Sequence, residues 1–423
     1  MMKHPSPASP SNSQTFQVLV GLILGVSFGA ILNHVLSGTE NTSLPHWISV
    51  FNAITDIFMR LIKMIIAPLV FSTLVVGMAK MGDGGTLGRV AGKAILWFFS
   101  ASVLSLLMGM ALVNGLGPGE NMHLPLPDVS AETGIVKEPL SLQGFVSHIV
   151  PKSIAEAMAQ NEILQIVVFS MFFGVACAQL GELVKPMVHS LDALGHIMLK
   201  MTSYVMRFAP FAVFAAMASV ISQQGLGVIA TYGLFLGEFY LGLILLWLTL
   251  SFLGYLFIGQ RIRSLLQHIR EPMILAFGTA SSEAAYPMLM RQLGRFGCSD
   301  RITGLVLPLG YSFNLDGSMM YMTFAVLFIA QAYGIHMPLQ DQALMVMVLL
   351  FTSKGVAGVP RASLIVISAT LSMFHIPEAG LLLLLGVDQI LDMGRSATNV
   401  LGNSIAATVV SRWEKDLAPS EVH

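Results

Sequence analysis

Asp388, Asp392, Arg395, Asn399 and Asn403 follow one another at spacings of four, three, four and four inside an otherwise apolar run, Gly386 to Ala406. At 3.6 residues per turn they fall on one stripe of a helix. An aspartate or arginine turned toward lipid costs at least ~2.5 kcal/mol even on the lenient insertion scale, so this stripe must face protein or water. It could be a ladder in which Asp388 or Asp392 pairs with Arg395 to hold helices together. It could also be a receptor: a guanidinium grips a carboxylate in two places, and a carboxylate one turn away can hold an ammonium. Ionisable groups inside membranes mark pathways and sites more often than glue. Arg395 with Asp392 and Asn399 therefore reads as a receptor for a zwitterion carrying an extra carboxylate.

A second constellation lies upstream in "LPLGYSFNLDGSMMY", Leu307 to Tyr321. Asn314, Asp316 and Gly317 interrupt a good apolar helix, and a glycine beside an aspartate exposes carbonyls and a carboxylate that can coordinate a cation. An aspartate at a kink can also be a plain helix cap, but at membrane depth its charge still needs a partner.

The elements that carry these residues must span a bilayer. The chain has 423 residues, 55% hydrophobic and 11% charged, with a mean hydropathy of +0.75, against roughly 25% charged in soluble domains. This is the composition of an all-α, multi-pass membrane protein. It gives no support to nucleic-acid binding. Cys177 and Cys298 offer neither a disulfide framework nor metal-ligand spacing. Runs of about 20 apolar residues occur at about 15–36, 49–79, 91–115, 163–181, 188–222, 227–258, 302–333 and 380–411, eight expected crossings. The Pro/Ser-rich opening, 1–14, is expected to be disordered and the first helix to be uncleaved.

Two further apolar stretches are broken by small residues, a glycine and a proline: "AFGTASSEAAYPMLM" and "FTSKGVAGVPRASLIV". Paired broken segments in two halves of a transporter point to inverted repeats with the substrate at mid-membrane. Non-helical backbone is tolerated there only inside protein or beside a wet cavity. Lys3, Lys80, Arg89, Lys93, Lys185, the arginines 261, 263, 270, 291, 295 and 301, Arg412 and Lys415 fall on one side if helices alternate. The opposite connections are acidic, with Glu40, Glu120, Asp128, Glu132, Glu138, Asp341 and Glu378. The positive-inside rule then places both termini in the cytoplasm and makes the broken stretches re-entrant hairpins from opposite faces.

Taken in order, "TASSEAAYP", "YSFNLDGS", "SKGVAGVP" and "DQILDMGRSATNVLGN" resemble the dicarboxylate/amino acid:cation symporters, the glutamate and aspartate transporter family, over about residues 15–413. The resemblance implies eight helices with two re-entrant hairpins, a homotrimer in a bacterial cytoplasmic membrane, and no cofactor. Residues 15–258 would hold helices one to six, with helices one, two, four and five as the trimerisation scaffold. Residues 259–412 would be the core transport region: hairpin one about 264–298, helix seven about 302–333, hairpin two about 341–374, helix eight about 379–412; 413–423 would be a cytoplasmic tail.

Carried over residue by residue, the resemblance gives Arg395 the side-chain carboxylate of the substrate, with Ser318. Asp392 would take the amino group with Ser396, and Asn399 the main-chain carboxylate. Ser281 and Ser282 of the first hairpin, with Val359 and Ser363 of the second, would complete the pocket. Glu283, Asn314, Asp316, Asp388 and Asn403 would serve coupling.

Departures bear on the coupling ion. Sodium-coupled relatives carry an aspartate at Asn403, and a tyrosine and threonine where "WFFSASVLS" has Phe98 and Ala101; Ser102 remains. Proton-coupled bacterial members resemble this chain at Glu283 and Asn403. A buried carboxylate at a hairpin tip suits a proton carrier, so the coupling ion is expected to be the proton, with residual sodium at Asn314, Asp316 and Ser102 as the alternative. Asp392 and "MGR" resemble the amino-acid members, so the expected function is import of glutamate or aspartate, with C4-dicarboxylate symport as the alternative. Arg361, where many members have a small residue, has no assigned role. An enzyme is disfavoured: Ser353 and Lys354 are adjacent, and H-E-x-x-H is absent. A channel is disfavoured by the paired hairpins.

Overall fold

The computed structural model describes residues 12–36, 43–81, 84–120, 126, 150–225, 227–353, 362–385 and 387–419. Among them the protein is almost wholly helical, and the one extended contact is an antiparallel bridge between Cys298 and Leu417. The helices are α1 Asn12–Leu36, α2 Ser43–Met81, α3 Gly84–Leu116, α4 Ile154–Gln160, α5 Ile163–Leu180, α6 Lys185–Val205, α7 Ala209–Gln224 and α8 Gly227–Ile258. There follow α9 Arg261–Thr279, α10 Ser282–Phe296, α11 Asp300–Phe313, α12 Asp316–Ala332, α13 Leu339–Thr352, α14 Ala362–Met373, α15 Leu381–Leu385 and α16 Asp388–Trp413.

Among the described residues six stretches are long and apolar enough to cross a membrane: 16–35, 44–79, 88–116, 163–223, 232–258 and 300–332. The fourth and fifth expected crossings merge in the 61-residue stretch 163–223. The fifth is not one continuous helix, because a 3-10 turn at Met206–Phe208 separates α6 from α7. Proline in the first turn of α7 cannot donate to a preceding helix and resets the chain there. The eighth expected crossing is likewise divided into α15 and α16. At the other end, α1 begins at Asn12, inside the segment expected to be disordered.

Close packing relies on small residues. Gly21, Gly25 and Gly29 form one stripe of α1 laid against the backbone of α7, and a Cβ on Gly25 would stand 2.5 Å from the Phe214 carbonyl oxygen. Such stripes let helix backbones approach where lipid gives no hydrophobic drive. At the centre, α12 and α16 are buried along nearly their whole length. Helix α16 packs on α9, α8, α11 and α12, and α12 packs on α3. The outward faces of α5, α7 and α8 show Phe172, Phe211, Leu234 and Leu248, as lipid-facing surfaces would.

Two local breaks position the site. Between α9 and α10 the chain turns over two residues: Ala280 takes a left-handed conformation (φ 49°), and Ser281 caps α10 by accepting from the Ala284 amide at 3.3 Å. Between α11 and α12 the helix is interrupted at Asn314 and Leu315, whose ψ angles are 62° and 67°. A helix that restarts leaves its first amides without intrahelical acceptors.

One end of the bundle is tied by the segment after α16. Glu414, with a side chain only 3% exposed, accepts from Arg89 (3.0 Å) and Lys93 (2.7 Å) of α3. Asp416 pairs with Arg301 at 3.0 Å and accepts from Ser299. The Ala418 amide donates to the Gly297 carbonyl at 2.9 Å, and Arg261 donates to the Ala418 carbonyl at 2.7 Å. Nearby, Trp97, Phe257 and Trp413 pack edge to face.

Two outcomes follow from this packing. A Cβ on Gly402 would collide with the Asp316 carboxylate, so Gly402→Ala should lower stability by about 1–3 kcal/mol, read as a lower unfolding temperature in detergent. Hydrogen bonds from Arg89, then Lys93, hold the Glu414 carboxyl below the usual carboxylate range. A depressed folded-state pKa gives stability that is present above the unfolded pKa and lost as pH falls through the folded one. Glu414→Gln should therefore be less thermostable than the parent at neutral pH, with the gap closing below about pH 4.

Candidate functional site

The polar stripe of α16 meets α12 around Arg395. The guanidinium is buried, with its side chain 3% exposed. Its Nη2 lies 3.2 Å from Asp388 Oδ1 and 2.9 Å from Asp392 Oδ1. The cationic carbon stands 4.0 Å from the centre of the Tyr321 ring, a cation–π contact in a desolvated setting. Tyr321 in turn donates to Asp388 Oδ1 at 3.1 Å. The other two guanidinium nitrogens, Nε and Nη1, are buried without a hydrogen-bond partner among the described residues. Leaving such donors unmade costs the desolvation of each group, about 1–3 kcal/mol and more when charged. An anion seated there would recover that cost.

Asn399, one turn further, joins both helices across the break. Its Oδ1 accepts from the Gly317 amide (2.9 Å) and the Ser318 amide (3.4 Å), two of the amides freed where α12 restarts, and its Nδ2 donates to Ser318 Oγ at 3.3 Å. The close approach needs Gly317, whose Cβ would stand 2.5 Å from the Arg395 carbonyl oxygen. Ser396 is buried beside this group.

A second turn along, Asp316, Asn314 and Asn403 form their own cluster. Asn314 Nδ2 donates to Asp316 Oδ2 at 3.0 Å and to Asn403 Oδ1 at 3.3 Å. Ser105 of α3 donates to Asp316 Oδ1 at 3.2 Å. Asp316 is the single formal charge in the group; Asn314 Oδ1 and Asn403 Nδ2 are buried without partners among the described residues. Ser102, three residues before Ser105 on the same α3 face, donates to the Phe313 carbonyl at 3.4 Å, and Phe98 and Ala101 add no oxygen. No group of three or more His, Cys, Asp or Glu residues that could hold a metal occurs among the described residues.

The remaining candidates are spread more widely. Ser281 is engaged as the α10 cap, and the Ser282 carbonyl accepts from Tyr311 at 2.9 Å. Ser363 is buried at the start of α14. Val359 and Arg361, at the tip of the second broken stretch, lie outside the described residues. Asp388, expected with the coupling group, is placed against Arg395 and Tyr321 instead.

Reasoning from sequence missed Tyr321 and Ser105. Each carried a signal: Tyr321 stands three residues after Ser318, and Ser105 three after Ser102, the helical spacing of a shared face. Two supports of α16 were also missed, Tyr240 donating to the Ile390 carbonyl (2.6 Å) and Trp247 donating to Thr398 Oγ1 (2.6 Å). Both come from α8, whose near-uniform hydrophobicity gave them no contrast.

Comparison with known proteins bears on this arrangement. The chain is 39% identical over 419 residues to a protein of Rhodospirillum rubrum, covering 97% of this chain and 92% of the relative. It is 40% identical over 406 residues to one of Brucella anthropi (95% and 89%), and 38% over 415 to one of Laribacter hongkongensis (95% and 90%). All three are named C4-dicarboxylate transport proteins. This overturns the expectation of an acidic amino acid as cargo. The structure supplies a physical reason: Asp392, from which an ammonium-binding role was read, is engaged by the Arg395 guanidinium at 2.9 Å, so an aspartate at this spacing does not require an ammonium in the substrate. A family model described as the sodium:dicarboxylate symporter family matches residues 15–413, and the chain belongs to that family.

Proposed function

We propose that the protein is a secondary active symporter that imports C4-dicarboxylates such as succinate, fumarate or malate together with protons. The observation that carries this reading is the two idle donors on a buried guanidinium: Nε and Nη1 of Arg395 have no acceptor among the described residues, while Nη2 is held by two aspartates. Nε–H and Nη1–H point in different directions, so each offers one charge-assisted hydrogen bond to an anionic oxygen. Ser318, Ser396 and Asn399, with Ser281, Ser282, Val359 and Ser363 from the two broken stretches, would hold the remainder of the cargo.

Charge decides the coupling. Moving one elementary charge across a membrane costs about 2.3 kcal/mol per 100 mV, and a dianion drawn toward a negative interior bears twice that. Each accompanying proton removes one charge's share. Glu283 at the start of α10 is the proposed proton carrier. Sodium is a weaker fit, because Asn403 supplies an amide where a second carboxylate beside Asp316 would attract a cation; Asn314, Asp316 and Ser102 remain the residues that would hold one.

The proposed architecture is eight crossings with α9–α10 and α13–α14 as re-entrant hairpins, arranged as inverted repeats in a bacterial inner membrane with both termini cytoplasmic. The assembly would be a homotrimer, in which α16 and its neighbours move as a unit against α1, α2 and α5–α7. The short two-residue turn between α9 and α10 and the packing of α13 against α14 support this reading. Transport is then alternating access: cargo and proton bind together, and the unit moves when both are present.

Labelled succinate taken up by proteoliposomes, with proton and sodium gradients imposed separately, tests the proposal. Uptake should follow the proton gradient and ignore sodium; equal inhibition by excess aspartate would contradict the cargo, and sodium-driven uptake the coupling ion. Arg395→Lys should lower apparent affinity on the order of 100-fold, about 2.7 kcal/mol, since an ammonium cannot hold the two aspartates and still present donors in the directions of Nε and Nη1. Asn403→Asp should gain a response that the parent lacks, a rise in unfolding temperature on adding sodium, because the added carboxylate requires a cation.

A further inference from the structure

The middle of α2 carries three ions on one stripe: Asp56, Arg60 and Lys63, at spacings of four and three within the apolar stretch 44–79. Asp56 and Arg60 satisfy each other at 2.7 Å, with side chains 60% and 79% exposed. Lys63 has no such partner. It is half-buried, and among the described residues it makes no hydrogen bond or ion pair within 4 Å. A lysine within an apolar stretch is costly unless something offsets its charge.

The packing of α2 against α11 shows what Lys63 faces. Gly77 lies on Arg301 and Gly304 lies on Thr73, with built Cβ atoms at 3.4 Å in both cases, so the helices run antiparallel in close contact. Counting back ten residues from Thr73 reaches Lys63, about 15 Å along the axis; counting on seven from Gly304 reaches Tyr311, about 10 Å along. Lys63 thus stands within about one turn of Tyr311, whose hydroxyl donates to the Ser282 carbonyl. Glu283 is the next residue, and α10 packs directly on α2.

Among the described residues the surroundings of Glu283 leave one counter-charge. Its neighbours with titratable groups are Tyr311 from α11 and Tyr286 from α10 itself. The charged groups of the other packed elements act elsewhere: Glu271 of α9 with Arg270, Arg291 and Arg295, and Arg395 of α16 with Asp388 and Asp392. Arg291 donates to Ser203 of α6 at 2.7 Å. Lys63 is the cation that the α2–α11 register brings to the level of Tyr311 and Glu283, and no ion pair within 4 Å joins it to Glu283 among the described residues.

We propose that Lys63 is a positioning residue for proton coupling: from α2 it acts as the counter-charge of ionised Glu283, and so sets the pH at which the carrier takes up its proton. This rests on Glu283 being the proton carrier, as proposed above. A cation facing a carboxylate favours its ionised form. Protonation of Glu283 ends that attraction and loosens α10 from α2, while deprotonation restores it. The same residue pair therefore links proton occupancy to movement of one helix past the other.

The sign of the effect follows. Loading requires protonated Glu283, so uptake falls as external pH rises through its titration. Without the ammonium the carboxyl keeps its proton to higher pH, so the fall moves upward. In succinate uptake at fixed internal pH, Lys63→Met should shift the half-maximal external pH upward by about one unit or more, and Lys63→Arg should keep the parental profile. Glu283→Gln should remove the pH dependence, and adding Lys63→Met to it should change nothing further. An unshifted Lys63→Met profile beside a flat Glu283→Gln profile would overturn the role of Lys63 alone; a Glu283→Gln variant that keeps the parental pH dependence would overturn the proton-carrier reading. Should Lys63→Met be inactive, infrared difference titration of the carboxyl band, with Glu283→Gln as blank, reads the same shift without transport; a band that titrates at the parental pH in Lys63→Met overturns the proposal.

Discussion

A guanidinium shut away from water, with two of its three nitrogens unmatched among the described residues, is the constraint around which this protein is arranged. Arg395 must be kept charged, fixed in direction and short of acceptors all at once. Asp388 and Asp392 take one nitrogen, and the Tyr321 ring covers the flat face of the group at 4.0 Å. None of the three reaches the remaining donors. An ion pair complete in itself would give the helix stability with nothing left to bind. Full solvation would let water occupy the donors and weaken recognition.

The break at Asn314 and Leu315 serves the same end. An uninterrupted α11–α12 helix would keep the Gly317 and Ser318 amides within its own ladder; the restart turns both toward Asn399. That bond fixes the height of α16 against α12, and so the height of Arg395, which is four residues before Asn399. Gly317 and Gly402 permit the approach from the two sides. A local sacrifice of helical hydrogen bonding is thus returned as long-range registry, with Asp316 left among Asn314, Ser105 and its neighbours.

Much of this was legible in the residues. Period-3.6 spacing put Asp388, Arg395 and Asn399 on one face before any coordinates, and the glycine beside Asp316 marked the break. Long-range partners were harder to see. Tyr321 and Ser105 differ little from ordinary core residues, and their meaning comes from which helices the fold brings beside them. The split of 188–222 into α6 and α7 was missed because hydropathy counts apolar residues without regard to the proline that resets the backbone. The cargo was misread for a related reason: Asp392 was given an outside partner when its own helix supplied one three residues on. Composition and spacing report which charges exist, whereas competition among them is settled in three dimensions.

The segment 414–418 ties α3, α9, α10 and α11 to the end of α16. It leaves the ribosome after every helix that it fastens. Insertion of those helices into the bilayer must therefore proceed while Arg89, Lys93, Arg261 and Arg301 still lack their final acceptors, and the bundle end closes in a last step. Assembly of this core is post-insertional by construction, and a ribosome stalled before residue 414 would hold a nascent chain with every spanning element made and its basic rim unfastened.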